Sequence, residues 1–168
     1  MDIAFLCDDA VISFRKNTEF ENLGSAIKNS DIVVKNKKNP QIIAYEGKKQ
    51  YQKNLIKKYR IKYPVKVNSI PILLERDVVD AAILDGIKAI TIAGDYEEVR
   101  QNYTTYNMVV RKAVMGTREF KEFIEKYNEV VDELNDEKLY ENEVKIYLKE
   151  GKWPKYVSTP KFQKIKIL

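Results

Sequence analysis

The sequence contains no histidine and only one cysteine, Cys7. Without histidine, the chain lacks the commonest general base, the usual zinc ligand and every Ser-His or Cys-His catalytic pair. A single cysteine excludes a disulfide within the chain. Any catalysis would therefore depend on carboxylates, lysines, tyrosines or Cys7, and the sequence indicates no metal site and no cofactor.

Long apolar runs are also missing, since none approaches the roughly 20 residues that are needed to span a bilayer. Residues 1–9 have neither the basic region nor the apolar stretch of a signal peptide. As the sequence stands we expect a cytoplasmic protein, or an extracytoplasmic one if the true N-terminus lies further upstream. The net charge of +5 is mild and spread along the chain, so we expect no nucleic-acid partner.

What is present predicts a folded α/β protein. Hydrophobic residues make up 44% and charged residues 33% of the 168 residues, which is typical of a globular chain with a core. The length suits one domain or two small lobes. Lys, Glu and Ile are abundant, and this composition fits a thermophilic origin or an AT-rich genome equally well.

The stretch 64–86 predicts a strand, a helix and a second strand. The predicted features are a short strand from Val65, a helix capped by Ser69 with Pro71 in its first turn, a strand at residues 81–84 buried on both sides, and a loop at Asp85-Gly86. Open α/β sheets bind ligands at the carboxyl edge of their strands, where this loop would lie.

The remaining pattern supplies further elements. Strands are predicted at residues 2–7, 31–35, 41–45, 89–93 and 103–111, with an edge strand at 164–167. Helices are predicted from Ala10, at 18–28, at 48–63, after Thr117, and from Asn135 or Asp136 to Gly151, with helical turns at 95–100. The segment 48–63 carries seven basic residues and no acidic residue. This pattern predicts a helix face that is exposed to solvent, or a surface that binds an anionic partner weakly.

This order resembles the type II periplasmic solute-binding protein fold, in particular ABC-transporter receptors for thiamine precursors, nitrate and sulfonates. Four segments carry the resemblance over about residues 1–150: Asp2-Ile-Ala-Phe with Asp8-Asp9-Ala10, the strand and turn at 42–47, the "L-x-x-G-x-V-D-A-A"-like segment at 74–83, and residues 106–111 with the Phe120 helix. The glycine that usually precedes "V-D-A-A" is absent, and Asp77-Val78 stands near its place.

The resemblance implies two lobes. Residues 1–35 and 104–168 would form a reduced first lobe with C-terminal helices, and residues 36–103 would form the second lobe. In the family, most of the first lobe precedes the "D-I-A-F" strand, whereas Met1 lies directly before it in this chain. The first lobe would then be reduced, completed by a second chain, or preceded by an upstream segment; a second copy or a permease would be possible partners.

The resemblance also implies a ligand site at strand ends and helix N-termini. The candidates carried over by position are Asp8, Asp9, Ala10, Tyr45, Glu46, Gly47, Lys48, Ser69, Asp85 and Gly86. Each has a simpler structural interpretation as a cap or turn residue. If the acidic members converge, they favour a cationic or hydroxylated ligand, because buried carboxylates need partners.

Three functions remain open from the sequence. The first is a solute-binding-protein-like module that recognises a small molecule, with a possible link to an ABC transporter. The second is an enzyme on the same fold, similar to menaquinone-biosynthesis enzymes, which would need a cleft carboxylic acid of raised pKa. The third is a regulatory or interaction domain. The missing histidine favours binding over catalysis.

Overall fold

The computed structural model describes residues 2–14, 16–148 and 160–167. The described chain forms two compact units, one from residues 2–29, 102–148 and 160–167 and one from residues 30–101. Each unit has its own β-sheet flanked by helices. The predicted α/β class, with two sheets flanked by helices and two C-terminal helices, is confirmed.

Strands and helices are interspersed along the whole described chain. The N-terminal half contains β1 (Ile3–Cys7), α1 (Asp8–Phe14), β2 (Phe20–Lys28), β3 (Asp31–Lys35), β4 (Ile42–Glu46), α2 (Gln50–Leu55), β5 (Ile61–Val65) and α3 (Ile70–Glu75). The C-terminal half contains β6 (Ala81–Asp85), α4 (Gly86–Ala89), β7 (Asp95–Glu98), β8 (Thr104–Arg111), α5 (Arg118–Leu134), α6 (Glu137–Leu148) and β9 (Lys161–Phe162).

The sheet of the first unit has the strand order β1-β8-β2-β9, and all its pairs are antiparallel. Helix α5 covers this sheet through Phe120 and Ile124, which pack with Met108 and Val110 of β8. The predicted cap of α5 is confirmed, because the Thr117 side chain accepts a hydrogen bond from the Phe120 N–H at 3.2 Å. Asp136 caps α6 in the same way, and Gly151 lies outside the described residues.

The predicted helix at residues 18–28 is wrong, because this segment is strand β2 in the middle of the first sheet. Its apolar residues Phe20, Leu23 and Ile27 have helical spacing. The structure explains this spacing by register shifts around Gly24, whose φ is +101°. A bulge of this kind shifts the alternation of inward and outward side chains along a strand by one residue. The spacing of the apolar residues then matches the period of a helix, and the sequence pattern predicts a helix.

The sheet of the second unit has the order β5-β4-β6-β3-β7. Strand β4 is parallel to β5 and β6, whereas β3 is antiparallel to β6 and β7. Strand β3, which the sequence-based division placed in the first lobe, therefore pairs within this sheet. The prediction that residues 81–84 are buried on both sides is confirmed, since none of them is more than 2% exposed.

Three predictions in this unit are wrong in extent or type. The helix predicted at 48–63 is limited to α2, and the chain then forms the edge strand β5, which parallel pairing with β4 stabilises. Residues 89–93 end α4 and form a turn, whereas residues 95–98 form β7. The sequence of a run this short does not distinguish a helix from a strand. Residues 95–98 form a strand because they pair with β3. In the first unit, the C-terminal edge strand predicted at 164–167 is also wrong in extent, because strand β9 lies at Lys161–Phe162.

Candidate functional site

Three acidic residues meet at one edge of the second sheet. The parallel strands β4 and β6 end there at Glu46 and Asp85. Strand β3 runs the opposite way and therefore begins at the same edge with Asp31, which pairs with Asp85 in the register. We call this region the carboxyl edge, and it is the position at which open α/β sheets hold ligands.

Asp31 is the centre of a polar network at the carboxyl edge, and it is only 1% exposed. Its two carboxylate oxygens accept hydrogen bonds from the Gln52 side-chain amide at 2.7 Å and from the Tyr51 hydroxyl at 3.0 Å. Burial raises the pKa of the Asp31 carboxyl above its ordinary value, against the opposing effect of the nearby Lys49 ammonium. Asp31 thus holds the first turn of α2 against the start of β3.

Gln52 and Lys49 tie α2 to the end of β4. The Gln52 side-chain oxygen accepts a hydrogen bond from the Glu46 N–H at 3.1 Å. The Lys49 ammonium lies 3.4 Å from a carboxylate oxygen of Glu46, and the lysine is only 8% exposed. The carboxyl edge therefore combines carboxylate, ammonium, amide and phenol groups on one short stretch of chain.

Asp85 organises the other half of the carboxyl edge. One carboxylate oxygen accepts a hydrogen bond from the Ile87 N–H at 3.2 Å and caps α4, and the other accepts one from the Ser30 hydroxyl at 3.1 Å. The Gly86 N–H donates to the Ser30 carbonyl at 2.7 Å. A Cβ at Gly86 would lie 3.2 Å from that carbonyl and from the Ile32 side chain, which explains why glycine stands there.

Five of the ten predicted site residues lie along the carboxyl edge: Tyr45, Glu46, Gly47, Asp85 and Gly86. Tyr45 is buried, and Lys48 is exposed beside them. Gly47 does not adopt a positive φ. Glycine at position 47 instead leaves room for the neighbouring strand β5, since a Cβ there would lie 3.3 Å from the Pro64 Cβ.

Ser69 is half-buried and is the N-cap residue of α3 as predicted, with Pro71 in the first turn, but its side chain makes no capping hydrogen bond. Asp8, Asp9 and Ala10 begin α1 in the first unit. The Asp8 carboxylate accepts a hydrogen bond from the Asn107 side chain at 3.2 Å. Ligand binding by any of the ten residues remains a prediction.

Sequence patterns missed the members of the network that lie in β3 and α2 or directly before them: Ser30, Asp31, Lys49, Tyr51 and Gln52. The one available signal was a charged residue at the start of an otherwise apolar strand. That signal gains meaning only through the antiparallel register, which places Asp31 opposite Asp85.

Two cavities lie away from the carboxyl edge. A cleft of about 720 Å³ in the second unit is lined by α3 and the chain before β7, and includes Lys35, Glu75 and Asp95. A smaller one of about 290 Å³ in the first unit is lined by Val11, Phe20 and Lys112 among others. None of the ten predicted residues lines either cavity. We call the larger cavity the opposite cleft, because its residues adjoin the other end of β3.

Among residues 2–14, 16–148 and 160–167, no group of three or more acidic or cysteine side chains is placed to hold a metal ion. Within the same residues, no helix has the length and apolar character that a membrane span requires.

Comparison with solved structures shows the fold. The ligand-binding component of an ABC-type import system from Staphylococcus aureus, with zinc bound, matches at a TM-score of 0.67 and 13% identity, over 100% of this chain and 69% of that one. The alkanesulfonate-binding protein SsuA from Xanthomonas axonopodis pv. citri, bound to MOPS, matches at 0.60 and 11%, over 89% and 62%. The lipoprotein Tp32 from Treponema pallidum matches at 0.59 and 11%, over 82% and 75%.

These likenesses confirm the periplasmic-binding-protein-like fold that the sequence predicted. No protein-family model matches the chain, and no curated protein matches it. The chain spans about three fifths to three quarters of the length of the similar structures. The resemblance to receptors for thiamine precursors, nitrate and sulfonates therefore has support at the level of the fold, and the particular branch remains a prediction.

Proposed function

We propose that the protein is a solute-binding module that recognises a small molecule at the carboxyl edge of its second sheet. One observation carries the proposal. The polar network of Asp31, Glu46, Lys49 and Asp85 lies at the strand ends where open α/β sheets bind ligands. The likeness to ligand-binding components of ABC-type import systems supports it at the level of the fold.

The charges at the carboxyl edge favour a cationic or hydroxylated ligand. Asp31, Glu46 and Asp85 contribute carboxylates, and Lys49 contributes the ammonium group of the network. Because Asp31 is buried and bonded inside the protein, the half-buried carboxylates of Glu46 and Asp85 are the ones that a ligand can contact. An amino or hydroxyl group on the ligand would donate to them, whereas an anionic ligand would be repelled.

We further propose that the module works with an ABC permease on the outer side of a membrane. The similar structures include an import-system component and a lipoprotein, and these names support the proposal.

An enzyme on the same fold would need a carboxylic acid of raised pKa in contact with its substrate. Asp31 meets the first condition, because burial raises its pKa. It does not meet the second, because it is 1% exposed and both its oxygens are hydrogen-bonded by α2. The geometry therefore favours a structural role for Asp31 and a binding role for the site.

A thermal-shift screen tests the binding function. We expect amines or polyols to raise the melting temperature in a concentration-dependent manner, because a ligand of the native state stabilises it by mass action. Glu46→Gln removes one accessible carboxylate and should weaken binding about 10-fold to 100-fold, since hydrogen bonds to charged groups contribute about 1.5–3 kcal/mol.

Glu75→Gln is the matched control, because Glu75 is an exposed carboxylate that lines the opposite cleft. It should leave the affinity unchanged. The proposal fails if amines, polyols, amino acids, sulfonates and nucleotides all leave the melting temperature unchanged.

A further inference from the structure

The segment from Lys48 to Lys66 concentrates the positive charge of the chain. It contains eight of the 30 basic residues and none of the 25 acidic ones. The rest of the chain therefore has 22 basic and 25 acidic residues, a net charge of −3 against +8 in this segment. The segment comprises α2, the turn after it and the edge strand β5. Charge concentrated in this way creates a local positive field, which the net charge of +5 does not reveal.

Most of these cations lie on the outward side of the segment. Its inward side consists of four residues, none more than 9% exposed: Gln52, Leu55, Ile56 and Tyr59. Lys53, Lys57 and Arg60 alternate with them and are exposed. The Gly47 N–H donates to the Val65 carbonyl at 3.0 Å, which brings the next residues of the two strands, the exposed Lys48 and Lys66, close together along the backbone. We call the five exposed cations the basic surface: Lys48, Lys53, Lys57, Arg60 and Lys66.

The cations of the basic surface are not neutralised by the protein itself. Within the part of the chain that the structure describes, none of the five forms an ion pair with an acidic side chain. The other three basic residues of the segment are engaged: Lys49 with Glu46, Lys58 with Glu97, and Lys62 with the Tyr59 carbonyl. The basic surface therefore complements an anionic partner.

Two exposed apolar side chains adjoin the basic surface on β5. Ile61 is 45% and Tyr63 is 44% exposed. They lie two residues apart on one strand, so both project from the same face of it. At a bilayer surface, an aliphatic side chain enters the boundary of the acyl chains and a tyrosine lies at the level of the headgroups. A nucleic acid offers the same negative charge, but its phosphate backbone offers nothing to isoleucine. The combination favours a membrane.

We propose that the basic surface docks the second unit on a lipid bilayer that contains anionic headgroups. Clusters of about four to eight Lys or Arg residues are typical of surfaces that bind such lipids. The cations would lie over the lipid phosphates, and Ile61 and Tyr63 would enter the interface. Because salt screens these attractions, the docking should be reversible and should weaken as the ionic strength rises. This inference does not rest on solute binding, since no solute takes part in it.

Co-sedimentation with lipid vesicles tests the docking. At about 0.05 M salt, the protein should sediment with phosphatidylcholine vesicles that contain about 30% phosphatidylglycerol, and not with phosphatidylcholine alone. Salt at about 1 M should release it, because the Debye length falls to about 3 Å. The double variant Lys53→Gln with Lys57→Gln should weaken binding about 25-fold, since each cation near an anionic membrane contributes about 5-fold.

Lys121→Gln with Lys138→Gln is the matched control. Both lysines are exposed on helices of the first unit, and the net charge changes by the same amount. This control should leave the binding unchanged. Circular dichroism establishes that each variant is folded. The proposal is overturned if the wild type does not sediment with the anionic vesicles, or if the control pair weakens binding as much as the Lys53 and Lys57 pair does.

A third double variant distinguishes a bilayer from another polyanion. Ile61→Ser with Tyr63→Ser keeps every charge and should weaken vesicle binding at least about 5-fold, because less apolar surface is buried in the interface. An unchanged affinity would contradict the insertion of these side chains. Retention of a DNA duplex at the same salt, without binding to the anionic vesicles, would identify nucleic acid as the partner and overturn the proposal.

Discussion

Replacing Asp80 with alanine is expected to lower the free energy of unfolding by about 2–4 kcal/mol. Asp80 is 6% exposed and stands just before β6. One carboxylate oxygen accepts the backbone N–H groups of Gln41 and Ile42 at 2.8 and 3.0 Å, and the other accepts the Lys37 ammonium at 2.5 Å. Alanine would leave these donors without their acceptor at the start of β4. Urea unfolding at pH 7 measures the loss.

Asp132→Ala is the matched control for this loss. Asp132 also binds a lysine ammonium, that of Lys164, at 2.6 Å, but both side chains are more than half exposed. Exposed pairs of this kind contribute about 0–1 kcal/mol. A loss at Asp80 no larger than the loss at Asp132 would contradict the role assigned to the buried carboxylate.

Asp80 should also make stability depend on acid pH. Its hydrogen bonds from Lys37, Gln41 and Ile42 lower the pKa of the Asp80 carboxyl to about 2, from 3.8 in the unfolded chain. The stabilisation is therefore complete above pH 4 and is lost as the pH falls towards 2, by roughly 2 kcal/mol. The stability difference between wild type and Asp80→Asn should shrink over this range. A constant difference would contradict the lowered pKa.

Replacing Asp31 with alanine should cost about 2–4 kcal/mol of unfolding free energy, because it removes the acceptor of a buried network. The Gln52 amide and the Tyr51 hydroxyl would lose the oxygens to which they donate. Asp31→Asn keeps the shape and one oxygen acceptor, so it should cost distinctly less. Equal losses in the two variants would show that hydrogen bonding by the carboxylate is not what holds α2 to β3.

The pH dependence at Asp31 has the opposite sign to that at Asp80. Burial raises the pKa of Asp31, so the native state binds its proton more tightly than the unfolded state does. Ionisation therefore costs stability as the pH rises through the folded pKa. The stability of wild type relative to Asp31→Asn should increase as the pH is lowered from 7 towards 4, and urea unfolding at several pH values measures it. A decrease would show that the native state does not hold this proton more tightly.

Patterns that depend on local chemistry were predictable from the sequence. The α5 cap at Thr117 and the buried strand at 81–84 each depend on neighbours within a few residues. The loop predicted at Asp85-Gly86 is wrong, because β6 ends at Asp85, which caps α4, and α4 begins at Gly86. The order of these elements was enough to indicate the fold that the solved structures confirm.

Features that depend on distant pairing were not predictable. The bulge at Gly24 gives the apolar residues of β2 a helical spacing in the sequence, so the pattern predicted a helix. The segment of β5 forms a strand because it pairs with β4. The polar network needed the register of β3 against β6, which joins Asp31 to the neighbourhood of Asp85 across more than 50 residues. Sequence alone could place Glu46 and Asp85 at strand ends, and only the register shows which side chains surround them.

The most direct test of solute binding at the carboxyl edge is hydrogen–deuterium exchange with and without a compound found by the thermal-shift screen. Bound ligand should slow exchange at residues 46–52 and 85–87, which form the carboxyl edge. Exchange at residues 71–75 and 91–95, which line the opposite cleft, should not change. Protection confined to the opposite cleft, with none at the carboxyl edge, would contradict the proposed site.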